Sequence, residues 1–196
     1  MDAGGEPPRL ILLGPPNSGK GTQAKKVSAR LGVPAISTGD MLRRAVAEGS
    51  ELGKRVESTL AAGRLVDDET MAKLVEERLS CEDAEDGFLL DGYPRTLGQA
   101  RTLDRILEEC GERLDAAILI RVPEEELVRR GLDRGRDDDD EAVLRERLKV
   151  YGEDTEPLVG YYRQSGLLLE VDGHRPIDEV TSCIFAKLGV ESPTGA

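Results

Sequence analysis

The chain has 196 residues, of which 34% are charged, with 27 basic against 39 acidic side chains and a net charge of -12. A chain of this length buries about 70% of its unfolded surface, which predicts one domain, residues 1–196, that needs no disulfide. The acidic balance excludes nucleic acid or an anionic membrane as the main partner, so an anionic ligand would need a local cluster of basic side chains.

The cysteine usage and the first residues bear on the compartment. Cys81, Cys110 and Cys183 are odd in number, widely separated and without Cys-x-x-Cys spacing. This is typical of semi-buried free thiols in a reducing compartment and excludes a cysteine-based zinc site. Residues 1–8 lack the basic and apolar regions of a signal peptide, and no apolar run approaches the length of a membrane span. We therefore expect a cytoplasmic protein without a membrane partner.

Five apolar runs predict strands, at residues 10–13, 34–37, 88–90, 116–122 and 167–171. Most are continuous rather than alternating, as is typical of parallel strands covered by helices on both faces. Helices are predicted between them, with acidic or proline starts at Asp67, Pro123 and Pro176. This alternation predicts an α/β fold, a doubly wound parallel five-stranded sheet with its ligands at the carboxyl ends of the strands.

The first strand leads into residues 14–22, GPPNSGKGT, and a helical pattern follows. In this context a Gly-x4-Gly-Lys loop cradles phosphate: backbone N–H groups converge on its oxygens, the lysine reaches the outer phosphates, and the helix N-terminus adds positive potential. The pattern predicts a site for a nucleoside triphosphate. The alternative is a tight strand-to-helix turn with an exposed lysine.

Two segments are longer than ordinary connections between elements. One separates the second and third strands, and the other is the polar stretch after Arg130. We interpret both as small mobile subdomains. The acidic run 137–141 lacks the glycine and the alternating ligands of a calcium loop, and we expect a solvated turn that caps the next helix.

Four motifs carry a resemblance to a known family. They are GKGT at 19–22, ISTGDMLR at 36–43, DGYPRTLGQ at 91–99 and DRGR at 133–136. In order and spacing, over nearly the whole chain, they resemble the signature of adenylate kinase. The resemblance implies a P-loop fold with a helical AMP-binding subdomain at 37–66 and a short, zinc-free lid at 133–141. It further implies reversible phosphoryl transfer from MgATP to AMP, giving two ADP, by a monomer whose only metal is Mg2+.

The resemblance also assigns roles to individual residues. It implies ATP contacts for Asn17, Ser18, Gly19, Lys20, Gly21, Thr22, Arg130, Arg134 and Arg175. It implies AMP contacts for Thr38, Arg43, Arg64, Leu65, Val66, Gly92, Tyr93, Pro94, Arg95, Gln99, Arg136 and Arg147. The cations implied to act in catalysis are Lys20, Arg95, Arg130, Arg134, Arg136 and Arg147. Asp91 ends an apolar strand beside the phosphate loop, where a carboxylate can orient magnesium-bound water.

This chemistry suits the residue types. The acceptor phosphate is ionised at neutral pH, so no general base is needed and catalysis comes from positioning and charge neutralisation. Planar, bidentate guanidinium groups suit that task better than ammonium groups.

Each assignment has a structural alternative. The arginines could form surface salt bridges, and Arg129 leaves the register of Arg130 open. Asp91 could be a helix or turn cap, Thr38 a helix N-cap and Gln99 a solvated helix residue.

Three positions depart from the family pattern. Asn17 stands where glycine is usual, and asparagine tolerates a left-handed backbone. Arg175 replaces a glycine whose carbonyl faces the adenine of ATP. Gly98 replaces a common proline, which we expect to loosen only the start of its helix.

Other functions are weighed against the same residues. Thr38 and Gln99 favour AMP over CMP or UMP, and a kinase of the same fold with another small acceptor is the main alternative. A GTP-driven switch would need an Asn-Lys-x-Asp motif, which the sequence lacks. A nucleotide-sensing pseudoenzyme would lack Lys20, Arg95 or the lid arginines.

Overall fold

The computed structural model describes residues 7–134 and 140–190, with the backbone alone for Arg134. One parallel sheet has the strand order β2-β3-β1-β4-β5. Its strands are β1 Arg9–Leu13, β2 Ala35–Ser37, β3 Phe88–Asp91, β4 Ala116–Arg121 and β5 Leu168–Asp172. Each boundary lies within one residue of the prediction, and the α/β doubly wound class is confirmed.

Helices connect and cover the strands. They are α1 Lys20–Leu31, α2 Thr38–Ala47, α3 Glu51–Ala61, α4 Asp68–Leu79, α5 Glu82–Glu85, α6 Leu97–Glu109, α7 Glu124–Arg134, α8 Glu141–Val150, α9 Pro157–Gln164 and α10 Ile177–Leu188. A π-helical turn, Tyr151–Thr155, joins α8 to α9. The predicted starts at Asp67, Pro123 and Pro176 are confirmed.

The two faces of the sheet bury separate apolar layers. Leu10 and Leu12 of β1 face α1 and α10, whereas Ile11 and Leu13 face the layer formed mainly by α4, α6 and α9. Because both faces are covered, successive residues of the strand are all buried. This explains why the sequence shows a continuous apolar run rather than an alternating one.

Between β2 and β3 the chain forms helices α2 to α5, so the first long connection is helical. The α2 and α3 helices pack closely, since Gly53 of α3 lies against the backbone of Ala45. Ser50 caps α3 through a hydrogen bond from the backbone N–H of Gly53 to its Oγ, at 3.1 Å. In the second long connection, Asp140 caps α8 by accepting from the N–H of Ala142 at 2.9 Å, as expected, while 135–139 lie outside the described residues.

Replacing Gly53 with alanine should destabilise the protein. A Cβ at Gly53 would lie 2.1 Å from the carbonyl oxygen of Ala45, so α2 and α3 must separate, at a cost of about 1–3 kcal/mol. Gly160 of α9 is the matched control, because a Cβ there meets nothing within 4 Å. Gly160→Ala should stabilise by about 0.5–1 kcal/mol through helix propensity. Urea unfolding measures both, and a shift in the same direction for both variants would contradict this packing.

The structure tests the predictions for the cysteines and for membrane-spanning segments. All three cysteines are free, as predicted. Cys81 and Cys110 are exposed, so the prediction of semi-burial holds only for Cys183 and is wrong for the other two. Both of these flank helix ends, where the chain lies at the surface. Within 7–134 and 140–190, no helix is long and apolar enough to cross a membrane.

Candidate active site

The carboxyl ends of the strands border a cleft of about 1200 Å³. The loops after β1, β2, β3 and β5 open into it, because all strands of a parallel sheet point the same way. Every described site residue predicted from the sequence lines this cleft except Tyr93, which is buried. The side chain of Arg134 and all of Arg136 lie outside the described residues, so their predicted roles stay untested.

The loop after β1 adopts the backbone of a phosphate cradle. Gly14 has φ 141°, and a Cβ there would lie 2.6 Å from the carbonyl oxygen of Ile120 in β4. Asn17 has φ 65°, so the expected left-handed asparagine is confirmed. Gly19 precedes the first residue of α1, and the loop therefore ends at a helix N-terminus. Backbone donors and the helix dipole are in place for an anion.

Lys20 closes over this loop. Its Nζ donates to the carbonyl oxygens of Gly14 and Pro15, both at 2.8 Å. The ammonium group is therefore held at the cradle rather than extended into solvent, and the alternative of an exposed lysine in a plain turn is not supported. Ser18 Oγ is buried and has no hydrogen-bond partner among the described groups. Buried unpaired hydroxyls are uncommon, and this one lines the cleft.

Asn17 fastens the loop to helix α7. Its Nδ2 donates to the carbonyl oxygen of Leu127 at 3.1 Å. The contact is possible because Gly131 has no side chain, since a Cβ there would lie 2.4 Å from this Nδ2. The departure from glycine at Asn17 therefore adds a side-chain link between the phosphate loop and the helix that carries Arg130.

Arg129 and Arg130 are neighbours on α7, and Arg130 is the more buried of the two at the cleft. The side chain of Arg130 is 28% exposed, and it donates to Glu126 at 2.7 Å and to the carbonyl oxygen of Gly173 at 3.1 Å. Arg129 is 64% exposed and pairs with Glu126 and Asp133. Hydrogen bonds from Arg129 and Arg130 hold the pKa of Glu126 at about 2, so this carboxylate is ionised at neutral pH. The motifs missed Glu126, although its position four residues before Arg130 is a recognisable pairing signal.

A second basic cluster lies on the other side of the cleft. Arg95 Nε donates to the carbonyl oxygen of Gly92 at 2.8 Å. Desolvation lowers the pKa of the Arg95 guanidinium, Asp91 opposes this, and the charges of Arg147 and Arg43 lower it further. Arg43 and Arg147 are thus each close enough to repel Arg95, and a dianionic phosphate would relieve that repulsion.

The flanking contacts of this cluster come from different elements. Arg43 of α2 pairs with Asp40 on the same helix. The Arg147 side chain of α8 packs beside Gly63, which follows the C-terminal end of α3. Surface ion pairing alone, the alternative for each arginine, does not account for three guanidinium groups that converge on one cleft.

Asp91 lies beside both basic regions. It ends β3, its Oδ2 is 3.6 Å from the place a Cβ on Gly21 would occupy, and its charge acts on Arg95. Among the described residues its carboxylate accepts no hydrogen bond from a backbone N–H, and Thr96 rather than Asp91 caps the next helix, so the alternative of a cap is not supported. One free carboxylate beside a phosphate loop fits a Mg2+ ion that keeps most of its water. The described residues contain no group of three or more His, Cys, Asp or Glu arranged to hold a metal.

Thr38 and Gln99 are both buried, at 1% and 2% exposure. Ser37 rather than Thr38 caps α2, so the N-cap interpretation of Thr38 is wrong. Thr38 Oγ1 donates instead to the backbone oxygen of Asp91 at 3.3 Å. The interpretation of Gln99 as a solvated residue is also wrong, because its amide is engaged by Arg95 N at 2.7 Å and by Asp68 at 2.9 Å.

The remaining predicted contacts differ in exposure, from exposed arginines to the buried Tyr93. Arg64 is exposed, Leu65 is partly buried and Val66 belongs to the core, and all three line the cleft. Burial raises the pKa of Tyr93 to about 12, and its hydroxyl donates to the carbonyl oxygen of Gln99 at 3.2 Å. Arg175 is exposed at the cleft and pairs with Asp172 at 3.2 Å.

Comparison with known proteins agrees with this geometry. Residues 12–167 match the family model described as Adenylate kinase. The chain is 50% identical to an adenylate kinase of Kocuria rhizophila over 184 residues, covering 92% of this chain and 98% of that protein. It is 50% identical to one of Thermus thermophilus over 185 residues (92% and 97% covered) and 46% identical to one of Archaeoglobus fulgidus over 210 residues (91% and 97%). The family and enzyme class that the motifs indicated are confirmed, and the chain belongs to the adenylate kinase family.

Proposed function

We propose that the chain transfers the γ-phosphoryl group of MgATP reversibly to AMP, giving two ADP. The observation that supports this proposal is one cleft lined by two separate groups of cationic side chains, each suited to bind a phosphate. Lys20 and the loop after β1 form one, and Arg43, Arg95 and Arg147 form the other. Two anion sites in one cleft suit a transfer between two phosphate groups better than they suit a switch or a hydrolase.

On the donor side, the backbone of 17–22 and Lys20 bind the ATP phosphates. A phosphate oxygen takes the place that the carbonyl oxygens of Gly14 and Pro15 hold at the ammonium group of Lys20. Arg130, held by Glu126 and by the backbone of Gly173, approaches from α7. We assign Arg134 and Arg175 to the same side, Arg134 from the lid and Arg175 through its backbone.

On the acceptor side, Arg43 and Arg95 bind the phosphate of AMP, while Arg136 and Arg147 approach the transferred group. ATP and AMP bring roughly six negative charges and Mg2+ neutralises two, so about four protein cations are needed. The reaction needs no general base, because the attacking phosphate oxygen is already ionised. Positioning and charge neutralisation supply the rate.

Selection of adenine on the acceptor side rests on buried groups. Thr38 and Gln99 line the cleft next to the backbone of Arg64, Leu65 and Val66. Asparagine and glutamine amides pair well with adenine because they offer a donor and an acceptor side by side. We therefore place the base of AMP here, within a subdomain at 37–66 that closes over it together with the lid at 133–141.

The metal of the reaction is proposed to be Mg2+ that arrives with ATP. When bound, it neutralises phosphate charge and fixes the geometry of the β- and γ-phosphates. Asp91 is the residue that would hold its water molecules, and no zinc is expected in the lid. We further propose a cytoplasmic monomer, supported by the free thiols and the acidic surface charge.

The test of this function is ADP formation from MgATP with AMP, CMP, UMP or no acceptor, in parallel. We expect rapid ADP formation with AMP, much slower formation with CMP and UMP, and hydrolysis at background level without an acceptor. Preference for a pyrimidine nucleotide would keep the fold but overturn the roles of Thr38 and Gln99. ADP formation independent of acceptor would overturn the transfer reaction itself.

A further inference from the structure

Asp68, the first residue of α4, is not among the residues that the motifs identify, yet it contacts Gln99, which lines the cleft. Its Oδ1 accepts from Gln99 Nε2 at 2.9 Å, and its Oδ2 accepts from Thr96 Oγ1 at 2.9 Å. Thr96 Oγ1 in turn accepts from the backbone N–H of Gln99 at 3.1 Å and caps α6. Asp68 therefore ties the start of α4 to the start of α6.

These contacts leave the Gln99 amide one orientation. An ionised carboxylate only accepts hydrogen bonds, so the NH2 group of Gln99 must face Asp68. Its Oε1 then accepts from the backbone N–H of Arg95 at 2.7 Å. A flipped amide would place oxygen against the carboxylate and NH2 against an N–H donor, so a flip would lose both hydrogen bonds.

Gly98 provides the space for the carboxylate. A Cβ at this position would lie 2.6 Å from Asp68 Oδ2. The sequence suggested that glycine here would only loosen the start of α6. The structure gives it a second consequence, because the missing side chain allows Asp68 to approach both Thr96 and Gln99.

The fixed amide keeps one N–H and one lone pair that no described protein group uses. Adenine presents an amino donor next to a ring-nitrogen acceptor, which matches this pair. Hypoxanthine, the base of inosine monophosphate (IMP), is nearly the same size but carries an oxygen in place of the amino group. That oxygen would meet a glutamine oxygen that cannot turn away.

We propose that Asp68 is a positioning residue that fixes the Gln99 amide and thereby makes the acceptor site prefer adenine over a 6-oxopurine. The inference rests on the proposed function, in which Gln99 contacts the base of AMP. Asp68 itself touches neither substrate. It acts by removing the alternative orientation in which Gln99 would accept the wrong base.

The experiment compares kcat/KM for AMP and for IMP at saturating MgATP, with equilibrium binding of both nucleotides as a second readout. We expect the unmodified enzyme to prefer AMP by about 10- to 100-fold. Asp68→Ala removes both acceptors and lets the amide turn, so the ratio should fall by about tenfold. The loss should appear in KM for AMP rather than in kcat, because the phosphate sites are unchanged.

Three further variants separate positioning from a general effect on helix α4. Asp67 is the N-cap of this helix and accepts from the N–H of Thr70 at 2.8 Å. Asp67→Ala should therefore lower stability by about 1 kcal/mol, yet leave the AMP/IMP ratio unchanged. Asp68→Asn keeps an oxygen for Gln99 and should retain most of the ratio. Gly98→Ala displaces the carboxylate and should lower the ratio in the same direction as Asp68→Ala, which keeps the test available if that variant folds poorly.

An unchanged AMP/IMP ratio in both Asp68→Ala and Gly98→Ala overturns the inference. An equal fall in Asp67→Ala also overturns it, since the effect would then come from the helix start. Failure of the proposed function is recognised separately, because the unmodified protein would then form no ADP from AMP. In that case the binding measurements with AMP and IMP still decide whether Asp68 sets base preference.

Discussion

Replacement of Lys20 with methionine is expected to lower kcat by about a hundredfold to a thousandfold while the protein stays folded. The ammonium group is held by the carbonyl oxygens of Gly14 and Pro15 at the phosphate cradle. Methionine keeps the length of the side chain but supplies no charge to the outer phosphates of ATP. The two carbonyl groups lose a donor in a partly open loop, at a cost of about 1 kcal/mol in the free energy of unfolding.

Steady-state ADP formation with AMP, together with thermal unfolding, measures both effects. Lys73→Met is the matched control, because Lys73 is 69% exposed and pairs with Glu69 on α4. It should change neither turnover nor stability by more than about 0.5 kcal/mol. Turnover of Lys20→Met within tenfold of the unmodified enzyme would show that the outer phosphates are held by other groups.

The second large effect is expected at Arg95. Arg95→Met should reduce kcat by about a thousandfold, which is the rate contribution typical of an arginine that neutralises a transferring phosphoryl group. Arg95→Lys keeps the charge but loses the planar fork, whose Nε donates to Gly92 and whose terminal N–H groups would donate to the phosphate. It should recover less than a tenth of the lost rate, since geometry as well as charge is required.

Stability should respond to Arg95→Met in the opposite direction from activity. Desolvation, followed by the charges of Arg147 and Arg43, lowers the pKa of Arg95 against the opposing charge of Asp91, so the charged guanidinium is disfavoured in the substrate-free protein and its removal should not destabilise the fold. We expect an unchanged or higher thermal midpoint beside the large loss of turnover. Arg105→Met is the control, since Arg105 is 61% exposed on α6 and pairs with Glu109. A clear loss of stability in Arg95→Met would indicate a structural role instead.

The Lys20 and Arg95 variants test the two proposed phosphate sites separately. The lysine belongs to a loop encoded by nine consecutive residues, 14–22, whereas the arginine cluster is assembled from α2, α8 and the loop after β3. A large effect at Lys20 with a small effect at Arg95 would describe a nucleotide-binding protein that lacks a second phosphate site. Large effects at both positions are expected only for transfer between two bound phosphates.

Much of this protein could be predicted from the sequence, because the relevant physics is local. Continuous apolar runs identify strands buried on both faces, and acidic or proline starts identify helices. The left-handed backbone of Asn17 follows from its place in the GPPNSGKGT loop, and the loop itself follows from the strand and the helix that flank it. Such features depend on residues close together in the chain.

Tertiary structure alone decided the features that depend on contacts between distant residues. Arg129 and Arg130 are neighbours of identical chemistry, and they are distinguished by the lower exposure of Arg130 and by its hydrogen bond to the carbonyl oxygen of Gly173, 43 residues away. The sequence alone allows Gln99, near the start of a helix, to be solvated. In the structure its amide is hydrogen-bonded to Asp68, 31 residues earlier in the chain. The orientation of a buried amide and the convergence of arginines from separate elements result from how helices pack over the sheet. No local pattern encodes that packing, because its energy comes from surfaces that meet only when the chain is folded.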